Sequence, residues 1–298
     1  MKYRRLGKTE ARVSVVGLGT WQFGGEWGKD FAQGEVDAIF DAARETGINL
    51  IDTAECYGDH LSERFVGAAI RRDRDKWFVA TKFGHGFAGH GKRDQLWTVA
   101  DVCRQLEDSL RALATDHIDL YQFHSGENAA FDNEELWSRL RKEQAAGKIR
   151  HLGISITNRE GFLAHQSSRA TAVGASALQV YYNRLDRRPE AEAFAECRRQ
   201  DLGVLARVPL ASGLLSGKYA PGATFPENDV RAGRERADLD RTLREVEEIK
   251  VNEVPRGVSM AAWALAWCLK DPVVTAVIPG CKDAAQVRAN AAATELVA

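Results

Sequence analysis

The sequence has few of the features that mark a disulfide scaffold, a zinc module, a membrane protein or a nucleic-acid binder. Its five cysteines are odd in number and widely spaced, without a CxxC pair, which argues against disulfides and structural zinc. No run approaches the roughly 20 apolar residues of a membrane span, and the first residues lack the apolar stretch of a signal peptide. With 41 Lys and Arg against 42 Asp and Glu, no basic bias points to nucleic acid. We therefore expect a protein of the reducing cytoplasm, without a nucleic-acid or membrane partner.

What the sequence does have is a regular alternation of short apolar runs with longer amphipathic segments. The runs have the composition of strands, which predicts strands at residues 13–18, 49–52, 77–82, 118–123, 149–155, 177–181, 203–207 and 273–278. Helical spacing of apolar residues predicts helices at residues 34–46, 61–71, 99–112, 133–146, 159–167, 189–200, 239–252, 259–270 and 283–293.

This alternation predicts the fold class. Strands that alternate with helices form parallel sheets, and eight such units in about 300 residues suit a closed barrel better than an open sheet. The stretch Gly17-Leu18-Gly19-Thr20 does not complete a GxGxxG fingerprint, which weakens a Rossmann sheet further. We expect an α/β protein, a single (β/α)8 TIM barrel over residues 1–298 that forms one domain. Residues 3–11 are expected to form an N-terminal β-hairpin cap.

Polar residues stand where several apolar strands end. Asp52, Lys82 and His124 end the second, third and fourth predicted strands, and Ser155 ends the fifth. In (β/α)8 barrels the C-terminal ends of the strands build the active site. Each residue alone has a structural explanation, since a strand-ending Asp often caps a turn and a terminal Lys is often solvated. A carboxylate, an ammonium and an imidazole at one rim together predict catalysis.

Tyr57 adds a proton donor to this rim. It lies five residues past Asp52, so a short loop carries its phenol back over the barrel mouth. A free phenol has a pKa near ~10, and the ammonium of Lys82 is expected to lower that pKa. Asp52 would hold Lys82 charged, and His124 would hydrogen-bond a substrate oxygen and take part in proton delivery. Such a group suits a carbonyl that is reduced by hydride; the alternative is that Tyr57 is a half-buried loop aromatic.

Ordered motifs recur along the whole chain at consistent spacing. They are Tyr3-Arg4-Arg5-Leu6-Gly7, Gly17-Leu18-Gly19-Thr20-Trp21, Ile51-Asp52-Thr53-Ala54-Glu55-Cys56-Tyr57-Gly58, Thr81-Lys82, Asp119-Leu120-Tyr121-Gln122-Phe123-His124, Gly153-Ile154-Ser155, Gln179-Val180-Tyr181-Tyr182-Asn183, Gly213-Leu214-Leu215-Ser216-Gly217-Lys218 and Ile278-Pro279-Gly280. Together these motifs resemble the aldo-keto reductase family, and within it the bacterial branch related to the potassium-channel β subunits.

The resemblance implies a catalytic tetrad of Asp52, Tyr57, Lys82 and His124, with Tyr57 as general acid in carbonyl reduction. It also implies NADPH, preferred over NADH, bound extended across the barrel mouth, with Lys282 neutralising the 2′-phosphate. The cofactor residues that it implies are Thr20, Trp21, Asp52, Ser155, Asn158, Gln179, Arg207, Pro209, Leu210, Ser212, Gly213, Leu215, Lys218, Gly280, Lys282, Gln286 and Asn290. The residues expected at a small-molecule carbonyl substrate are Trp21, Tyr57, Phe83 and His124.

One position departs from the family pattern. The residue before Val208-Pro209-Leu210 is usually an aromatic that stacks on the nicotinamide, and here it is Arg207. A planar guanidinium also stacks on π systems, and its charge favours a bound anion or the neutral, reduced nicotinamide. We predict that Arg207 stacks on the nicotinamide; the alternative is that it only bonds to neighbouring loops.

The substrate side of the mouth is polar and edged with aromatics, which suits a sugar or another polar carbonyl. His85 and His90 lie in a loop without a third ligand, so we expect no metal. A regulatory subunit that binds NADPH with little turnover is the first alternative function. The second is an unrelated (β/α)8 hydrolase or isomerase, which would not bind nicotinamide.

Overall fold

The computed structural model describes residues 1–297, in which strands and helices alternate along the chain. The strands are β1 (Tyr3–Arg5), β2 (Arg12–Ser14), β3 (Leu18–Gly19), β4 (Leu50–Asp52), β5 (Phe78–Phe83), β6 (His85–Phe87), β7 (Arg93–Gln95), β8 (Ile118–His124), β9 (Ile149–Ser155), β10 (Ala175–Tyr181), β11 (Gly203–Arg207) and β12 (Ala276–Ile278). The helices are α1 (Gln33–Thr46), α2 (Leu61–Ile70), α3 (Val99–Leu113), α4 (Asn128–Phe131), α5 (Glu134–Ala145), α6 (Phe162–Ser168), α7 (Arg188–Glu192), α8 (Phe194–Gln200), α9 (Arg236–Asn252), α10 (Met260–Cys268) and α11 (Ala284–Ala292).

Eight of these strands form a parallel barrel. Neighbours follow the order β3, β4, β5, β8, β9, β10, β11 and β12. The two ends of the sheet meet where Gly19 and Gly280 pair in parallel. There the amide nitrogens of Gly17 and Gly19 donate to the carbonyl oxygens of Val277 (2.8 Å) and Pro279 (3.0 Å). The (β/α)8 fold expected from the sequence is confirmed.

The N-terminal hairpin closes the barrel end opposite the mouth. β1 and β2 pair antiparallel, and Leu6 between them is wholly buried against inward-facing residues such as Leu50 and Leu205. Gly7 turns with φ +50° and packs so closely that a Cβ there would lie 2.1 Å from the Gly203 nitrogen. The expected cap is present, but β2 includes residues 13 and 14, which the apolar pattern assigns to the first barrel strand. The first barrel strand is correspondingly short, because those residues pair with β1.

Two other segments differ from the sequence-based expectation. The helix expected over residues 189–200 is divided into α7 and α8 at Ala193, whose φ of −134° leaves the helical region. The segment after β5, expected as a loop, forms the antiparallel hairpin β6–β7. Residues 85–95 carry glycine and charged side chains rather than alternating apolar ones, so the period-2 signal of a hairpin is missing.

An aromatic cluster outside the barrel wall joins β5 and β8 to α5. Phe83 lies in it, wholly buried, with its ring centroid 4.8 Å from that of Tyr121 and 6.3 Å from that of Trp137. Phe83 therefore does not reach the cavity, and the expected contact with the substrate is not formed. Successive strand residues face opposite sides, so Phe83 faces outward where Lys82 faces inward. Within residues 1–297, no helix combines the length and apolarity needed to cross a bilayer.

Candidate active site

A cavity of about 380 Å³ opens at the C-terminal ends of the barrel strands. Asp52 and Tyr57 line it at the end of β4 and in the loop beyond, and His124 lines it at the end of β8. Lys82 of β5 reaches the same place with a wholly buried side chain. The four residues that the sequence predicts at one rim therefore meet at this cavity.

Lys82 is the centre of the group. Its Nζ donates to Asp52 Oδ1 (2.8 Å), to the carbonyl of Thr53 (2.7 Å) and to Tyr57 Oη (3.1 Å). Burial disfavours the ammonium, but the charges and hydrogen bonds of Asp52 and Tyr57 outweigh it and raise the pKa of Lys82. Lys82 is therefore a buried cation that is paired by one carboxylate.

Amide side chains donate hydrogen bonds to the second carboxylate oxygen of Asp52. Gln179 and Gln122 donate to Oδ2 at 2.6 Å and 3.3 Å, and the hydroxyl of Ser155 donates to Gln179 Oε1 at 3.1 Å. Gln179 lines the cavity, whereas Ser155 is buried and does not reach it. This network of hydrogen bonds fixes the carboxylate that pairs with Lys82.

The phenol of Tyr57 differs from the sequence-based expectation. Burial is the largest influence and raises the pKa of Tyr57 to about 12, while the Lys82 ammonium only reduces that rise. The expected net lowering of the pKa is therefore wrong, because lost solvation outweighs the neighbouring charge. Tyr57 stays protonated at neutral pH, and Lys82 is in place to stabilise a phenolate once the proton leaves.

The imidazole of His124 lies between the cavity and a buried glutamate. Its Nδ1 is 3.4 Å from Glu55 Oε1 and 3.8 Å from Cys56 Sγ. Burial, followed by the charge of Lys82, holds the pKa of His124 well below its usual value. His124 is therefore neutral, and Nε2 is the nitrogen left for a ligand in the cavity.

Most residues expected at the cofactor line the cavity. These are Thr20, Trp21, Asp52, Gln179, Arg207, Pro209, Leu210, Ser212, Gly213, Lys218, Gly280, Lys282 and Gln286. Ser155, Leu215 and Asn290 are buried without reaching the wall. Asn158 is exposed and lies beside a separate small crevice.

Sequence analysis missed several residues of the wall. They are Gln22, Cys56, Arg93, Tyr219 and Arg231. Two of them reach the wall through ion pairs: Arg93 on β7 pairs with Glu26 in the segment after β3 (2.5 Å), and Arg231 pairs with Asp229 two residues earlier (2.6 Å). The short spacing of Asp229 and Arg231 is a local signal in the sequence, whereas nothing in it indicates that Glu26 meets Arg93.

The wall carries polar atoms without a protein partner. Gln22 Oε1, Trp27 Nε1 and Arg207 Nε are buried and have no hydrogen bond within residues 1–297. An unpaired buried polar atom costs about 1–3 kcal/mol, so such atoms mark places that a polar ligand satisfies. Gly280 is needed for the close approach to Gln22, since a Cβ there would lie 1.8 Å from Gln22 Nε2. These donors and acceptors fit an extended, polar ligand such as a nicotinamide dinucleotide.

Another part of the wall carries clustered cations. Lys282 Nζ donates to the carbonyl of Trp27 (2.6 Å), and burial together with nearby cations lowers the pKa of Lys282. The cations of this cluster are Lys218, Arg231 and Lys282, which line the cavity, and Lys29, which lies near Lys282 behind the wall. Asp229 pairs with Arg231 and Glu35 with Lys29, so four positive charges face two negative ones. The surplus suits a phosphate-bearing ligand.

Arg207 both lines the cavity and bonds to the barrel. Its Nη2 donates to the carbonyl of Ile156 (3.1 Å), and its guanidinium carbon lies 5.4 Å from the ring centroid of Tyr181. Burial lowers the pKa of Arg207. Arg207 therefore makes the bond to a neighbouring segment that the alternative interpretation expects. The Nε of the same guanidinium has no hydrogen-bond partner within residues 1–297.

Three side chains at the catalytic end carry the atom types of metal ligands. One ligand atom each from Glu55, Cys56 and His124 lies within 4.8 Å of the others. The charges of Lys82 and Arg93 act on Cys56 and His124, which opposes binding of a divalent cation. That no metal binds here stays a prediction.

The comparisons with known proteins agree over the length of the chain. The model of the aldo/keto reductase family matches residues 15–298. The "Probable voltage-gated potassium channel subunit beta" of Oryza sativa subsp. japonica is 30% identical over 308 residues, covering 100% of this chain and 92% of that protein. The "NADH-specific methylglyoxal reductase" of Escherichia coli (strain K12) is 30% identical over 318 residues, covering 99% of this chain and 94% of that protein.

A solved structure is similar over the same extent. The aldo-keto reductase AKR11C1 from Bacillus halodurans, in its holo form, superposes with a TM-score of 0.81 at 32% sequence identity. The match covers 99% of this chain and 91% of that one. The similarity therefore extends over nearly the whole length of both chains.

Proposed function

Since this chain belongs to the aldo/keto reductase family, we propose that it reduces an aldehyde or ketone to the alcohol with NADPH, using Tyr57 as general acid. The observation that carries the proposal is the buried Lys82 ammonium, which bonds both Asp52 and Tyr57 beside the cavity. Burying an ion pair costs several kcal/mol in solvation, and apolar residues of similar volume often stabilise a fold as well. We infer that the reason for the pair lies in the chemistry.

The chain's part in the reaction is to stabilise charge and deliver a proton. NADPH would supply the hydride. Tyr57 Oη and His124 Nε2 are the two donors available to a carbonyl oxygen that becomes negative, and losing one such donor costs roughly 2.7–4 kcal/mol in other enzymes. As Tyr57 gives up its proton, Lys82 at 3.1 Å stabilises the phenolate, and Asp52 keeps Lys82 in position.

The preference for NADPH over NADH is proposed from the cationic wall. The similar Escherichia coli protein is named NADH-specific, so family membership alone does not decide the cofactor. In this chain the surplus of positive charge around Lys282 favours the additional phosphate of NADPH. The proposed cofactor contacts are the wall residues, with Ser155 acting through its hydrogen bond to Gln179. Contacts of the cofactor with Asn158, Leu215 and Asn290 are proposed as well and require a local rearrangement, since none of the three lines the cavity.

Arg207 is proposed to lie against the nicotinamide. Its planar guanidinium lines the catalytic end of the cavity and has one N–H without a partner. Guanidinium groups stack on π systems, so an arginine can take the place of an aromatic at this position. A cofactor-bound structure in which Arg207 points away from the ring would contradict this part of the proposal.

A sugar or another polar carbonyl is the proposed substrate class. Trp21 lines the catalytic end, stacked 5.8 Å from Tyr57 and in edge contact with Trp27 at 5.0 Å. Its Nε1 donates to Glu26 (2.8 Å), which holds the ring in place. Fixed aromatic faces beside polar groups suit a hydroxylated substrate.

The direct test is NADPH oxidation across aldehydes, ketones, sugars and dicarbonyls, with a fluorescence titration of NADPH in parallel. We expect binding of NADPH and turnover of at least one carbonyl class. Absence of nicotinamide binding would contradict the proposal and favour an unrelated (β/α)8 hydrolase or isomerase.

A second candidate function is favoured by one comparison. The rice protein named as a channel β subunit matches the whole of this chain, which favours a regulatory subunit that binds NADPH with little turnover. Tight NADPH binding without oxidation on the full panel would support this function over the enzyme.

A further inference from the structure

Glu55 is a buried glutamate next to the catalytic group, and the reaction described above leaves it without a role. It lies in the loop that carries Tyr57, and 2% of its surface is exposed. Its Oε1 accepts the amide of His85 (3.0 Å) and lies 3.4 Å from His124 Nδ1. Its Oε2 is buried without a partner within residues 1–297. A carboxylate with so few donors loses much of its solvation, which favours the neutral acid.

The groups around Glu55 and His124 come from several elements. They are Cys56 and Tyr57 in the same loop, His60 just after it, Lys82 on β5, His85 on β6, Arg93 on β7, Tyr121 on β8 and Arg207 on β11. Burial raises the pKa of Glu55 although His85 and Lys82 oppose it, and burial raises the pKa of the Cys56 thiol. Burial also lowers the pKa of His85 to about 4, so His85 is neutral.

We propose that Glu55 and His124 share one proton, and that this proton keeps a hydrogen on the cavity-facing Nε2 of His124. A neutral Glu55 donates to Nδ1, which leaves the imidazole hydrogen on Nε2. If the proton moves to Nδ1, the imidazolium again carries a hydrogen on Nε2. When the shared proton is lost, the remaining imidazole hydrogen moves to Nδ1 and bonds the Glu55 carboxylate, and only then does Nε2 become an acceptor. Glu55 is thus a positioning residue, and the inference rests on the proposed carbonyl reduction.

The state of this pair decides how many donors meet the carbonyl oxygen. With the proton present, Tyr57 Oη and His124 Nε2 both donate. After its loss, Nε2 turns a lone pair towards the developing negative charge. Reduction should therefore fall as the pH rises through the apparent pKa of the pair. Tyr57 would cause such a fall only near its own pKa of about 12.

Glu55→Gln separates this role from a structural one. Oε1 of Glu55 both accepts the His85 N–H and lies beside His124 Nδ1, so a glutamine amide places either its oxygen or its NH2 group there. In neither orientation does the side chain have a proton to lose. The matched control is Glu63→Gln, a wholly buried glutamate that bonds to His60 and does not line the cavity.

The measurement is kcat/KM for reduction against pH. Wild type and Glu63→Gln should lose activity about tenfold per pH unit above the pair's apparent pKa, as expected for loss of one proton. Glu55→Gln should lack this limb at whatever plateau it has, because its side chain does not titrate. The same alkaline limb in Glu55→Gln as in wild type would overturn the inference.

A measurement that does not depend on turnover tests the Glu55–His124 pair separately from the proposed carbonyl reduction. ¹⁵N NMR of the His124 imidazole should show hydrogen on Nε2 at neutral pH and its loss at higher pH in wild type. An Nε2 state that does not change with pH in wild type would overturn the inference, even if Glu55→Gln fails to fold. Titration of Nε2 in an enzyme that reduces no carbonyl would support the pair and contradict the proposed function instead.

Discussion

At the scale of single residues, the catalytic end of the cavity depends on one buried cation. Lys82 is wholly enclosed and has three acceptors: a carboxylate, a carbonyl and a phenol. Because the ammonium has no access to water, its effect on Tyr57 is less screened than that of a surface charge. Burial nevertheless dominates the resting state of Tyr57 and keeps its proton in place.

Replacing Lys82 by Met should slow reduction by roughly a hundredfold or more, because the phenolate of Tyr57 loses its stabilising charge. The variant should still bind NADPH, which a fluorescence titration measures. It should also be less stable by about 3–5 kcal/mol, since Asp52 is left buried without its partner.

A double variant controls for that instability. Lys82→Met with Asp52→Asn removes both charges and should recover much of the lost stability while staying inactive. Recovery of activity together with stability would mean that Lys82 acts only through folding.

Replacing Lys282 by Ala should weaken NADPH binding much more than NADH binding, because only NADPH carries the 2′-phosphate that this ammonium is proposed to meet. The expected loss for NADPH is roughly 1.5–3 kcal/mol, typical of hydrogen bonds to charged groups. Lys8→Ala is the matched control and should leave binding of both cofactors unchanged, since Lys8 lies in the hairpin at the opposite end of the barrel and bonds Thr171 there. Equal losses for both cofactors in Lys282→Ala would refute the assignment.

Some features of single residues could be predicted from the sequence, and others could not. Asp52, Lys82 and His124 were predictable because each polar side chain interrupts an apolar strand at its end. The direction of the Tyr57 pKa shift was not, since it depends on how completely the folded chain excludes water. Glu55 stands beside Tyr57 in the sequence, but its meeting with His124 joins residues 69 positions apart.

At the scale of elements, the two ends of the barrel have different roles. The hairpin of β1 and β2 closes the N-terminal end with Leu6, and the loops after the strands form the mouth. Of the elements added to the barrel core, the N-terminal cap was predictable and the hairpin β6–β7 was not. The N-terminal cap follows the strand pattern of its sequence. The hairpin β6–β7 instead depends on tertiary contacts, such as the hydrogen bond that Gln105 Nε2 donates to the carbonyl of His85 (2.8 Å).

Replacing Leu6 by Ala should destabilise the fold by about 2–5 kcal/mol, because it leaves a cavity at the closed end of the barrel. Thermal or denaturant unfolding measures this loss. KM and kcat at a temperature where the variant is folded should stay close to wild type, since Leu6 is far along the barrel from the mouth. A large change in kcat with little loss of stability would contradict this division of tasks.

At the scale of the whole molecule, the alternation of strands and helices was enough to predict the barrel and the end of it at which the candidate cavity lies. It was not enough to predict the cavity wall. Arg93 on β7 and Arg231 in the long loop before α9 reach the wall through ion pairs, and such pairs leave no periodic signal.

The central claim is that Tyr57 delivers the proton in an NADPH-linked carbonyl reduction. Its most direct test mixes an enzyme–NADPH complex with a carbonyl found in the substrate screen and follows loss of NADPH in a single turnover. Tyr57→Phe should bind NADPH as wild type does and reduce the carbonyl roughly a hundredfold more slowly or worse. Equal single-turnover rates for wild type and Tyr57→Phe would contradict the account.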